Sequence, residues 1–267
     1  QANTVIQHPT LGRFIIFDPT DSQTILGDLP FVLQGSLALL DSKDSKELVR
    51  MPVMPPDMNQ LERTATVELQ TNGSISGKIH QRASGQIAAT MRKEFRGLTR
   101  PQYNSTIERW VAYGIPAARL STIDPEDSVT DGRFSLDVEF SAPAYAQSMQ
   151  DHLLVFKPAI VSRREGLTLT ASERKHPVVL QANSYAETTR IQLPTGFAVD
   201  EVPDAVKIET SFGSYVTSYE VKNNELLFKR QLLQRATTVS VAQYDQVKKF
   251  FESIRAAEQA PVVLARK

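Results

Sequence analysis

No cysteine occurs in the 267 residues. Its absence removes disulfides, thiolate catalysis and thiolate metal sites together, and leaves the compartment open. An excess of one charge is missing as well. Thirty basic and thirty acidic residues cancel, with no basic stripe, which argues against a nucleic-acid partner. No apolar run approaches the ~18 to 20 residues needed for a membrane span. Histidine is scarce: His8, His80, His152 and His176 stand alone, none with a partner at His-x-x-x-His spacing, so no metal site and no cofactor is predicted. The Gly-x-Ser-x-Gly elbow, a supported Ser-x-x-Lys and the glycine-rich nucleotide loops do not occur. Gly73-Ser74-Ile75-Ser76-Gly77 surrounds serines with glycines, but on a hairpin arm. The chain opens Gln1-Ala2-Asn3-Thr4, with neither an initiator Met nor a signal peptide, and so reads as a piece of something longer.

What is present is enough for packed cores: 41% of residues are hydrophobic, and 15 Pro with 12 Gly punctuate the chain with turns. Arg13 to Phe17 is almost wholly apolar, as in a short strand covered on both faces, and it ends in Asp18-Pro19-Thr20-Asp21. Residues 30–60 carry four prolines and the solvated "DSKDSKE" run from Asp41 to Glu47. They read as a connector with one short strand at Ser36–Leu40 and a boundary near "MPPDMN". "TATVELQTNGSISGKI" is two period-two arms flanking Asn72-Gly73, the residues of a type I′ hairpin turn.

Ile87, Met91 and Phe95 recur at helical spacing. A second helix has Thr99 or Arg100 at its cap, Pro101 in its first turn, and Tyr103, Ile107, Trp110 and Val111 on one face before Gly114 stops it. That face assigns the only tryptophan to the core, against the sheet containing Phe134, Leu136, Val138 and Phe140 of the next strand. "HLLVFKPAIV" reads as a fully apolar strand. Beyond 166 the chain is more strongly β: Ile191 with Leu193, then Tyr215, Tyr219 and Val221, a turn at Asn223-Asn224, and a return through Leu226 and Phe228. Ser240 and Gln243 form a capping box before a helix faced by Tyr244, Val247, Phe251 and Ile254. "APVVLA" supplies a last strand.

Strands and helices are segregated, so the predicted class is α+β, mostly β, with antiparallel sandwich-type sheets and a few packed helices. The predicted segments are 1–45, 46–166 and 167–267, with 46–267 as one continuous domain the alternative. Among carboxylates, Asp137 and Glu139 face solvent on one strand and Asp124, Glu126 and Asp127 fill a turn. Two of Asp124, Glu126, Asp137 and Glu139 facing each other across a cleft would make a glycan hydrolase.

The string "HPTLGRFIIFDPTDSQTILGDLP", followed by "QGSLALL", resembles bacterial multidomain transglutaminase-like, papain-type proteins. "ERWVAYGIP", "FAVDEVPD", "FGSYVTSYEV" and "RAAEQAPVVL" are similar to their C-terminal part. The resemblance implies that Asp18 is the third member of a Cys-His-Asp triad, the carboxylate that orients the imidazole. The nucleophile cannot be in this chain. The triad histidine is either His8 or a residue upstream, and His8, before a proline near a hairpin loop, is the weaker choice. The resemblance thus implies a remnant of a catalytic core at 1–45 followed by an accessory region, exported to the periplasm or cell surface. As a fragment it would be no enzyme; its partners would be the upstream catalytic domain of the same parent chain and a protein or glycan. A purely structural interaction module is the third reading.

Overall fold

A computed structural model describes residues 4–43, 46–150, 152–163 and 167–267. It is 45% strand and 19% helix, a mostly-β α+β fold with large antiparallel-rich sheets, as the segregation of periodicities predicts.

Down the chain, two small antiparallel hairpins come first: β1 (Val5–His8) with β2 (Gly12–Ile15), and β3 (Leu37–Asp41) with β4 (Lys46–Arg50). The predicted connector therefore holds two paired strands where one was expected. Leu39 faces Leu48 across the pair, an apolar contact that the charged run between them conceals in the sequence. Two residues of that run, 44 and 45, lie outside the described residues.

The main body begins with β5 (Gln60–Leu69) and β6 (Ile75–Ser84), then α1 (Gly85–Gly97) and α2 (Arg100–Gly114), then β7 (Arg119–Ser128) and β8 (Arg133–Ala142). It continues with β9 (Gln147–Met149), β10 (Leu153–Phe156), β11 (Val178–Leu180), β12 (Asn183–Gln192), β13 (Phe197–Glu201) and β14 (Lys207–Thr210). The last elements are β15 (Gly213–Lys222), β16 (Glu225–Gln234), β17 (Thr237–Val239), α3 (Tyr244–Gln259) and β18 (Val262–Arg266).

Eight of these strands form one sheet in the order β14-β15-β16-β12-β5-β6-β8-β7. Every pairing in it is antiparallel except β5 with β12, which run parallel and join strands from before and after residue 166. Strict alternation puts Leu61, Ala65, Val67 and Leu69 of β5 and Phe134, Leu136, Val138 and Phe140 of β8 on one buried face. The opposite face is polar and open to water, as antiparallel sheets allow. A second sheet, β13-β18-β10-β9, sends Phe197, Val262, Leu264, Leu154 and Phe156 into the same core, together with all three helices. Each large side chain so buried contributes roughly 1.5 to 3 kcal/mol. In α3 these are Val247, Phe250, Phe251 and Ile254.

The turn type expected at Asn72-Gly73 is found instead at the later hairpin. At Asn72-Gly73 only Gly73 has positive φ (+81°), and its N–H donates to Gln70 O at 2.9 Å. This is a type I turn followed by a left-handed glycine, the longer hairpin connection, and not type I′. The reason is tertiary: Gly73 O accepts the backbone N–H groups of Tyr145 and Ala146, so the loop is shaped to receive that segment. The two-residue type I′ turn is at Asn223-Asn224, both left-handed at +52° and +59°, between the paired Lys222 and Glu225. The cap signal holds for α2. Thr99 caps α2, and Gln102 accepts its backbone N–H at 3.0 Å. The capping box predicted before α3 does not form: Ser240 Oγ meets the Gln243 side chain at 3.1 Å but no backbone N–H, because Ser240 heads a 3-10 turn over Val241–Gln243 and Gln243 itself precedes the helix.

A buried ionic seam and an adjoining cleft

The N-terminal segment departs from its predicted burial. Ile15 and Phe17 are 47% and 57% exposed, so this run is not covered on both faces. Residues 21–30 are fixed to α1 by polar bonds: Gln86 Nε2 donates to Asp28 Oδ2 at 2.8 Å, and Arg92 Nη1 to Gln23 O at 2.6 Å. Burial lifts the Asp28 carboxyl above its ordinary range, against the lowering effect of Gln86 and the Leu29 N–H. Leu29 itself is wholly buried.

Asp18 lies at the partly exposed end of this hairpin. Its Oδ1 accepts the backbone N–H of Thr20 at 2.9 Å and the Thr20 hydroxyl at 2.7 Å, an Asx turn closed on itself. His8 is engaged elsewhere. Its Nδ1 accepts from the Leu11 N–H at 3.0 Å, which leaves Nε2 to pair with Glu47 of β4. Among the described residues, Asp18 and His8 share no hydrogen bond.

The acidic residues of the predicted turn are on a strand, because β7 extends as the sheet edge through Pro125, a position where a missing N–H costs nothing. Asp124 and Asp137 are cross-strand neighbours on the outward face. Asp137 meets His80 at 2.8 Å, and Glu139 is held below its ordinary pKa by Lys78 at 2.5 Å. Asp127 instead takes Arg92 Nε at 2.6 Å and Arg96 Nη2 at 2.7 Å, clamping α1 to the sheet.

The most concentrated chemistry is a row of charges across the buried face, and no motif marks it. Arg63 of β5, Glu187 of β12 and Arg230 of β16 are direct neighbours in register, at 0%, 0% and 1% side-chain exposure. Glu187 Oε2 accepts Arg63 Nη1 at 2.8 Å and Arg230 Nη2 at 2.9 Å, and the Tyr185 hydroxyl donates to the same oxygen. Thr189 Oγ1 donates to Oε1 at 3.1 Å. Burial alone would raise the Glu187 carboxyl; the two guanidiniums and the hydroxyl overcome it and hold the pKa down at about 2. Burial pushes the Tyr185 hydroxyl well up, so it stays a donor. Gln81, with its amide oxygen turned to the cation as the donors require, accepts Arg63 Nε and Nη2 at 2.9 Å each. A signal for this row does exist in the sequence. Arg63, Glu187 and Arg230 each fall in phase with an apolar strand face, where solvent-facing charges should not be.

The row reaches outward through Arg230 Nη1, which meets Glu258 Oε1 of α3 at 3.1 Å. Arg163 Nε meets the same oxygen at 2.6 Å. Beside this pair opens a cleft of about 430 Å³, lined among the described residues by Trp110 and Tyr113 of α2, Phe251, Arg255 and Glu258 of α3, and Arg163. Trp110 is part of the core and also the cleft wall. Its ring covers the Arg63 guanidinium at 5.1 Å and its Nε1 donates to Ser162 O at 3.1 Å. As predicted, it packs on the sheet that contains Phe134, over Arg63 of β5. Phe95 of α1 is edge-on to Phe134 at 5.8 Å.

By fold and site, then, this is a mostly-β α+β module with a buried ionic seam and a mixed aromatic and charged cleft beside it. Residues 151–264 match the family model described as a Domain of Unknown Function with solved-structure structure (DUF3858). The matched segment supplies Glu187, Arg230 and Glu258, whereas Arg63 and Trp110 lie outside it. No curated protein matches the chain. Among the described residues no helix is long and apolar enough to cross a membrane.

Proposed function

We propose that this chain is the non-catalytic accessory region of an exported bacterial transglutaminase-like protein, and that residues 15–53 form the surface on which the catalytic domain of the parent chain rests. The observation that carries this reading is the distribution of exposed apolar side chains. Phe17, Leu26, Val32, Leu37, Leu39 and Leu48 are 55% to 82% exposed, all within 32 consecutive residues. Leu37, Leu39 and Leu48 share one face of the β3–β4 hairpin. Two-stranded hairpins with an apolar outer face are poorly stable in water and sticky, so a covering partner accounts for their composition. The resemblance of the "FDPTD" string, the missing cysteine and the position of Asp18, closed on Thr20 with no hydrogen bond to a histidine among the described residues, support the same parentage.

The decisive experiment reads the open reading frame upstream of Gln1 and co-expresses its product with this chain. The proposal requires a cysteine at a helix start and a histidine on a strand in that upstream segment. It also requires a complex that Leu39→Asp with Phe17→Asp weakens. An upstream sequence without that pair refutes the parentage, and unchanged complex formation by the double variant refutes the surface.

A further inference from the structure

Residues 21–30 are fixed to α1 by a chain of polar bonds that centres on a buried carboxyl group. Asp28 is 6% exposed. Its Oδ1 accepts the Leu29 N–H at 2.8 Å, and its Oδ2 accepts Gln86 Nε2 at the same distance. Gln86 is buried too, held by its backbone N–H to Asn59 Oδ1 at 2.9 Å, and its Nε2 also reaches Thr24 Oγ1 at 3.1 Å. The Thr24 hydroxyl donates onward to Asp21 Oδ2 at 2.7 Å. The nearby cations are engaged elsewhere. Arg92 is taken by Asp127, Gln23 O and Arg133 O, Arg96 by Asp127, and Lys93 acts on Asp21. On the other side, Gln34 donates to Leu29 O and accepts the Met54 N–H, so that side brings neutral groups. Among the described residues Asp28 therefore has no cation partner, and the charge that acts on it is the like charge of Asp21. Keeping a carboxylate ionised in such a place is costly.

We propose that Asp28 is a proton-operated latch: taking up a proton tightens residues 21–30 on α1, and losing it loosens them. Gln86 serves either state, because an amide offers N–H to a carboxylate or, turned over, oxygen to a carboxylic acid. Burial raises the Asp28 carboxyl above its ordinary value of 3.8. Its stabilisation is thus fully present below 3.8 and is lost as pH rises through the raised value. Asp21 has the opposite sense. Against the upward push of burial, the Thr24 hydroxyl and the Gln23 N–H hold it below 3.8, so its bonds are lost only in stronger acid. The segment is held most tightly between the two. Phe17, Leu26 and Val32 are exposed on and beside this stretch, so the latch sets how firmly that apolar surface is presented. This use rests on the docking surface proposed above; the latch itself is a property of this chain.

Hydrogen exchange of the full chain between about pH 7 and about pH 4.5 tests it, with rates corrected for the intrinsic effect of pH. The peptide covering residues 21–30, which includes the Asp28 N–H bonded to Ile25 O at 3.2 Å, is read against the β5–β6 hairpin as internal reference. Wild-type protection of 21–30 should rise at least about threefold as the pH falls, while the reference holds. Asp28→Asn keeps the shape and removes the charge. At neutral pH it should show the protection that wild type reaches only in acid, with no further rise. Carboxyl-carbon NMR of Asp28 in the wild type should give a midpoint above 3.8. Flat or falling wild-type protection overturns the proposal, as does a midpoint at or below 3.8. So does an unchanged pH response in Asp28→Asn, or weaker protection of that variant than of wild type in acid. No upstream domain enters these measurements, so failure of the docking surface leaves them unaffected.

Discussion

Replacing Glu187 with Gln tests whether the buried seam is organised around one carboxylate. The substitution keeps the shape and removes the charge. It leaves Arg63 and Arg230, at 0% and 1% exposure, facing an amide whose NH₂ group opposes their own donors. Removing one member of a buried ionic cluster typically costs 3 to 5 kcal/mol, because the remaining charges stay desolvated. The acid–base linkage gives a similar size. A carboxyl lowered from 4.5 to about 2 corresponds to roughly 3 kcal/mol. The folded pKa is depressed, so this stabilisation is fully present above the unfolded value near 4.5 and is lost as pH falls towards 2.

Urea unfolding followed by Trp110 fluorescence measures the effect directly, because that ring covers Arg63. At pH 7, Glu187→Gln should lower stability by about 3 to 5 kcal/mol, and the gap to wild type should shrink between about pH 4.5 and 2. Converting all three, Arg63→Met with Glu187→Leu and Arg230→Met, should recover most of the loss, since an apolar row has no desolvation penalty. A cost below about 1 kcal/mol for Glu187→Gln, or a gap that does not narrow in acid, refutes the reasoning.

Three further outcomes are expected. Trp110→Ala should cost roughly 3 to 5 kcal/mol in urea unfolding, as a large buried ring and the cover over Arg63 are lost together; a cost below about 1 would return the residue to the surface. Gly73→Ala should cost more than the ~1 kcal/mol of a left-handed backbone alone, because its Cβ would stand 2.3 Å from Ala146 O, and calorimetry showing no change would mean the loop is free to move. Asp18→Ala should change stability by less than about 1 kcal/mol, since only the Thr20 turn is lost; a larger loss would show that Asp18 has contacts beyond that turn.

The sequence by itself determined the local elements, because their signals are local. Period-two arms around residues 67–79, the apolar face of Tyr103, Ile107, Trp110 and Val111, and the Asn223-Asn224 turn follow from backbone geometry and from which side chains can face one apolar surface. The same logic gave the α+β class and the alternation of β8. Three things belonged to the tertiary structure alone. The turn at Gly73 was decided by Tyr145 and Ala146 docking on its carbonyl, which no propensity encodes. The extension of β7 through Pro125 was possible only because that strand became an edge. Above all, the parallel pairing of β5 with β12 joined residues 124 positions apart, placing Arg63 beside Glu187, with Arg230 on the other side. Each charge was visible in its own strand as a residue out of place on an apolar face. That they answered one another depended on which strands became neighbours, and strand order is set by the packing of the whole core rather than by any segment within it.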